Sequence, residues 1–193
     1  MKHDPDDLIM LFNDLFREEY RTILVRGGGE PEYLPATGGP DRNAQIFFAH
    51  GYYASALHEI SHWCIAGEYR RTLVDFGYWY CPDGRDTSQQ QAFEQAEIKP
   101  QALEWLFSVA AGSLFHISVD NLSGCGACDE NAFRRNVRAQ ADDYLEHGMP
   151  ARAGLFFQTL RIFYGTGADF NKVWKREARR LMSAGSATDT EVD

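Results

Sequence analysis

The sequence predicts an α+β fold in which a small mixed sheet precedes a helical C-terminal third. Three features carry this expectation. Short runs rich in aromatic and branched residues sit in the first half, and two segments in the middle show helical apolar spacing. Residues 129–147, 151–164 and 168–182 each read as helices, separated by Gly148–Pro150 and Gly165–Gly167. The 193 residues, 44% of them hydrophobic, suffice for one compact domain, expected over 1–182. Residues 183–193 are polar and acidic without an apolar period and are expected to fray.

In chain order, Leu8, Leu11, Phe12, Leu15 and Phe16 mark an amphipathic helix over 5–20, with Asp4 or Asp6 available as N-cap. Gly27 to Arg42 is rich in Gly and Pro and reads as loop around weak extended structure near Tyr33 and Leu34. Ala44–Ala49 is strand-like, and a helix is expected from about Tyr53 to Ala66, stopped by Gly67. Leu73–Tyr80 has the composition of a strand, followed by a turn at Pro82, Asp83 and Gly84. Pro100 suits the first turn of a deeply buried helix through Ala102–Ala111, closed by Gly112, and a short strand is expected at His116–Val119.

A net charge of −9, with no segment expected to string Lys and Arg together along a helix face, argues against nucleic-acid binding. The N-terminal residues lack a signal-peptide pattern, and no run approaches a membrane span, so a cytoplasmic protein is expected. Four cysteines are too few for a disulfide scaffold in a chain of this length. Cys125 and Cys128 form a CxxC, but the two further ligands of a full zinc site are missing nearby.

The chemistry lies in HEISH, His58 to His62. On a helix, residues four apart project from one face, so His58 and His62 can bind one ion, with Glu59 on the flank. Ala54 and Ser55 share that face and leave room for a ligand, while Leu57, Ile60 and Cys64 point to the core side. A chance HExxH is expected in only about one chain in a hundred of this composition. A catalytic site normally has a third protein ligand. Glu97 is the choice, read as a carboxylate at the helix entrance before Lys99–Pro100; Glu104 is the fallback and Glu94 the more solvated acid. A downstream glutamate on the next helix is the order of a zincin-like scaffold, with the sheet packed on the metal-bearing helices.

Between these helices, Asp75, Tyr78, Tyr80, Asp83, Arg85 and Asp86 cluster in a segment whose acids could hold a cationic side chain while its tyrosines pack on the aliphatic part. Capping and solvation are the alternative role for its aspartates. His50, ending the strand before the metal helix, is a candidate substrate contact or a structural histidine. His116 and His147 are read as structural, and His3 as part of a loose terminus.

By itself HExxH favours a zinc peptidase with Glu59 as general base. The longer blocks point elsewhere. EPEYLPA (30–36), FAHGYYASALHEISHWCIAGEYRR (48–71), LVDFGYWYCPDGRD (73–86) and EIKPQALEWLF (97–107) resemble the elongation factor P hydroxylase family of bacteria, from the first helix to about residue 165. The resemblance implies an Fe(II) enzyme using O2 to hydroxylate the lysine side chain of elongation factor P, its protein partner, after β-lysylation. A 2-His-1-carboxylate site of His58, His62 and Glu97 fits this, with Glu59 either supporting the ligands from behind or orienting substrate. Arg70, Arg71 or Arg85 could hold an acidic cosubstrate such as 2-oxoglutarate, although no motif demands one.

Overall fold

The computed structural model describes residues 3–37, 39, 42–77, 85–118 and 129–184. They fall into two compact units, one drawn from the chain up to Trp79 with Pro150–Leu160, the other from Tyr80–Met149 with the chain from Arg161 onward.

In the first unit, α1 (Pro5–Tyr20) begins where Asp4 accepts the Asp6 amide and Pro5 supplies a preset φ. It buries Leu8, Leu11, Phe12 and Phe16 along one stripe. Arg21, in the left-handed region at φ 48°, turns the chain into β1 (Thr22–Arg26). Its run of Thr, Ile, Leu and Val is of strand type, although no strand was expected there. β2 (Glu32–Leu34) and β3 (Ala44–Phe48) complete a mixed sheet in the order β1-β3-β2, with β1 parallel and β2 antiparallel to the central β3. On β3, Ala44, Ile46 and Phe48 are buried in strict alternation. Asn13 of α1 guards the β1 edge, its side-chain oxygen accepting the Leu24 amide at 2.8 Å.

α2 (Tyr53–Ile65) packs on β3 and brings Trp63 into an aromatic cluster with Phe12, Phe16 and Tyr20 at centroid distances of 5.0, 4.8 and 5.6 Å. Each large apolar side chain removed from water here contributes about 1.5–3 kcal/mol. Phe156 of α5 (Ala151–Phe163) joins the same cluster through Phe12. Gly67 is not the left-handed stop expected for α2: the helix ends at Ala66, in an extended conformation.

The strand expected at Leu73–Tyr80 is corrected over its described part, Leu73–Gly77. Val74–Gly77 form 3-10 turns with Asp75 and Phe76 in the left-handed region (φ 48° and 56°), and 78–80 lie outside the described residues. Composition suited a strand, but tertiary contacts override it: Phe76 is buried and stacked 4.1 Å from Tyr33, while Asp75 accepts the Tyr33 amide at 2.8 Å.

In the second unit, α3 runs from Thr87 to Ala111, thirteen residues earlier than the expected start at Pro100. Asp86 and Gln89 form a capping box at its N-terminus, and Gly112 closes it at φ 72°. Pro100 lies inside the helix, where it removes one backbone donor and leaves the Ala96 carbonyl without its helical partner. From Pro100 to Ala111 every residue is buried, with Trp105 stacked on Phe115 and 4.6 Å from Trp174. α4 (Glu130–His147), capped by Asp129, and α6 (Phe170–Ala184) pack with α3. The strand expected at His116–Val119 does not form over its described part, His116–Ser118, where Gln101 takes both backbone polar groups of Ser118, at 2.7 and 3.1 Å, in place of a sheet partner; Val119 lies outside the described residues. Contrary to the absence of a basic helix face read from sequence, α6 exposes Lys172, Lys175, Arg176 and Arg179. Among the described residues no helix is long and apolar enough to cross a membrane.

Candidate metal centre

α2 delivers the two histidines. Leu57, Ile60 and Cys64 are buried on the core side, as expected, while His58 and His62 are half-buried on the other face. Ser55 fixes the helix entrance by accepting the Ala49 amide at 2.9 Å. The two Nε2 atoms stand 3.1 Å apart, with ring planes inclined at 74°. Two imidazole nitrogens held by one ion at about 2.0–2.1 Å, at angles between octahedral and tetrahedral, stand roughly 2.8–3.4 Å from each other. The observed spacing fits a shared ion.

Glu97 lies in the interior of α3, not at its entrance, because the helix begins ten residues earlier. It is 3% exposed, and the ligand atoms of His58, His62 and Glu97 all lie within 4.8 Å of one another. Two neutral nitrogens and a buried carboxylate form a donor set suited to a divalent first-row metal, and a cation offsets the cost of burying the carboxylate charge. Three ligands leave coordination positions open, as a catalytic rather than a structural site requires. Glu104 is also buried, two turns further along α3, and Glu94 is half-buried, accepting from Gln90 at 3.0 Å.

Comparison with known proteins bears on this donor set. A family profile described as elongation factor P hydroxylase matches residues 11–173. The chain belongs to that family. Among its curated relatives is the elongation factor P lysine hydroxylase of Haemophilus influenzae, 50% identical over 171 residues, covering 89% of this chain and 95% of the relative. The hydroxylase-family match runs from within α1 to the first turn of α6, so His58, His62 and Glu97, the candidate metal group, all lie within it.

For this member of the hydroxylase family, the described ones among the remaining expected site residues are each engaged locally or exposed. Tyr78, Tyr80 and Asp83 lie outside the described residues, as do Cys81, Cys125 and Cys128. Asp75 is engaged with the Tyr33 amide. Asp86 is the α3 N-cap, and its bonds from the Gln89 amide and the Ser88 hydroxyl hold its carboxyl below the usual range. Arg85 is 2% exposed, donates to Gln90 at 2.9 Å and sits 3.8 Å over Phe93. Arg70 donates to the Phe76 carbonyl and Arg71 to that of Ala66, so each arginine considered for an acidic cosubstrate donates to the protein itself. His50 is exposed in a 3-10 turn at φ 49°, its ring 5.7 Å from Tyr52. His3 is not loose but packs 5.0 Å from Tyr53, and His147 pairs with Asp143 at 2.9 Å. Burial pushes the Cys64 thiol up to about 12, so it is no nucleophile at neutral pH.

Sequence reasoning missed two features. Gln90, Glu94, Glu97, Gln101, Glu104 and Ser108 recur every three or four residues along α3, and all but the half-buried Glu94 are buried. That polar period, carried on into the apolar second half of α3, was a legible signal for a candidate functional face. The other is Arg152, which reaches the C-terminal end of α2 across more than eighty residues of sequence. No local pattern announces it.

Proposed function

We propose that this chain is an Fe(II)-dependent enzyme that hydroxylates the β-lysylated lysine side chain of elongation factor P, acting in the cytoplasm on a zincin-like scaffold. Family membership, with a relative named for elongation factor P lysine hydroxylation, supports the reaction class and the protein substrate. The single observation that carries the metal reading is the His58, His62 and Glu97 group, whose ligand atoms lie within 4.8 Å of one another.

In this reading His58 and His62 present neutral nitrogens and Glu97 an anionic oxygen. When bound, Fe(II) supplies open coordination positions for O2 and the redox chemistry that places a hydroxyl on carbon. The protein supplies position: α2 and its supports fix the imidazoles, and the burial of Glu97 keeps bulk water from competing for its carboxylate. Glu59, half-buried and adjacent in sequence to His58, orients the substrate arm as a hydrogen-bond acceptor for an ammonium group. Asp75, Tyr78, Tyr80, Asp83, Arg85, Asp86 and His50 remain the proposed recognition residues, with Asp75 acting through the Tyr33 amide, Asp86 through the α3 cap and Arg85 through the Gln90 side chain.

HExxH spacing itself favours a second reading, a zinc peptidase with Glu59 as general base. Protein purified without oxygen is expected to carry iron and, with O2, a reductant and β-lysylated elongation factor P, to add one oxygen atom to the modified lysine peptide by mass spectrometry. Peptide cleavage restored by zinc, with no oxygen added by the iron form, would overturn the hydroxylase reading.

A further inference from the structure

We infer that Arg152 is the positioning residue of the metal helix: its guanidinium locks the last turn of α2, the turn that carries His62, in the orientation that a metal ion needs. The inference rests on the metal reading above and extends it to a residue on a different helix.

α2 ends without the usual backbone solution. Its C-cap residue Ala66 is extended (φ −58°, ψ 120°), and no left-handed residue follows to fold the chain back onto the terminal carbonyls. The Ala66 amide satisfies only the His62 carbonyl. The Nη2 of Arg152 instead reaches the carbonyls of Trp63 at 2.9 Å, Cys64 at 3.1 Å and Ala66 at 2.6 Å. Arg71 adds a second guanidinium on the Ala66 carbonyl at 2.8 Å. Positive charge at this end also complements the partial negative charge of the helix C-terminus.

The guanidinium is itself held. It lies 4.6 Å from the Trp63 ring and 5.4 Å from that of Tyr20, clamped between aromatic groups of α2 and α1. Its Nε is buried without a hydrogen-bond partner, a cost that a helix end closed by a left-handed glycine would not incur. Gly67 stands at the position where such a glycine would serve, yet does not adopt that conformation. The chain thus ends α2 with a rigid side-chain clamp drawn from α5. A clamp fixes the rotation and translation of the last turn, and His62 has to keep its Nε2 within 3.1 Å of that of His58. Partners beyond the ligands that orient a metal-binding imidazole are typically worth about 10–100-fold in metal affinity.

The test compares Arg152→Gln and Arg152→Lys with the wild type and with Leu24→Ala, a buried β1 variant that lowers stability without touching the α2 carbonyls. The readouts are the dissociation constant for Co(II) or Fe(II) by chelator competition, the visible spectrum of the Co(II) form, and the melting temperature of the metal-free protein. Arg152→Gln is expected to weaken metal binding by at least about tenfold and to alter the Co(II) spectrum. Arg152→Lys should recover part of the affinity, and Leu24→Ala should keep both affinity and spectrum despite its lower melting temperature. Equal affinities for Arg152→Gln and Leu24→Ala would overturn the inference. Failure of the wild type to bind either metal would sink the metal reading instead. If Arg152→Gln fails to fold, the Arg152→Lys comparison decides: affinity and spectrum matching the wild type refute the clamp.

Discussion

The candidate metal group is three side chains whose ligand atoms converge, and substitution of any one of them is expected to be costly. His58→Ala, His62→Ala and Glu97→Gln should each weaken metal binding by about a hundredfold or more, since losing a direct ligand costs more than losing an outer partner. Glu104→Gln should leave affinity near that of the wild type. Chelator competition measures both, and the opposite ranking of Glu97 and Glu104 would reassign the third ligand. HEISH was readable because helical spacing alone places two histidines on one face. Glu97 was legible as a candidate ligand but not in its setting: the Pro100 signal pointed to a helix start, whereas burial of α3 carries the helix straight through the proline.

At the scale of elements, caps and tight turns decide where the supports stand. Asp86 has a depressed folded pKa, because the Gln89 amide and Ser88 hydroxyl stabilise its charged form. Its contribution is therefore complete above the unfolded carboxylate pKa of about 3.9 and is lost as pH falls through the lower folded value. Asp86→Asn, which still caps, should show a smaller fall in melting temperature between neutral pH and pH 3 than the wild type; an identical fall would remove the cap from the acid response. Asp75→Ala should destabilise by about 1 kcal/mol or more through the lost bond to the Tyr33 amide. The left-handed backbone at Asp75 adds to this, and Asp75→Asn should restore most of the loss in urea denaturation. Gly27 has a different constraint: a Cβ there would stand 2.8 Å from the Phe48 carbonyl oxygen, so Gly27→Ala should lower stability by disturbing the β1–β3 ladder. Composition suggested a strand where Asp75 and Phe76 form turns, because propensity records what a side chain prefers on a pleated surface and not the partner that Tyr33 provides.

At the scale of the whole molecule, metal and fold are linked by mass action. A metal that binds only the native state stabilises it by about 2.7 kcal/mol at a hundredfold excess over its dissociation constant. For a chain of this size that is a rise in melting temperature of about 5–10 °C. Calorimetry with and without metal should show this rise in the wild type and lose it in His58→Ala; an equal rise in both would place the stabilising ion elsewhere. The aromatic cluster of Phe12, Phe16, Tyr20 and Trp63 is the rigid body against which α2 is set, so its packing bears on the histidines that α2 carries.

The sequence by itself determined what is local and periodic: the histidine face of α2, the amphipathic α1, the three C-terminal helices and the family blocks that separate a hydroxylase from a peptidase. The helical features depend on residues within a turn or two of one another, so their spacing carries the information, whereas the family blocks carry theirs in residue identity over long stretches. Tertiary structure alone decided the rest. It extended α3 through Pro100 because burial of that helix outweighs one missing backbone bond, and it folded Asp75 and Phe76 left-handed against Tyr33. It also set Arg152 on the carbonyls that end α2, a contact between residues more than eighty positions apart that no local pattern encodes.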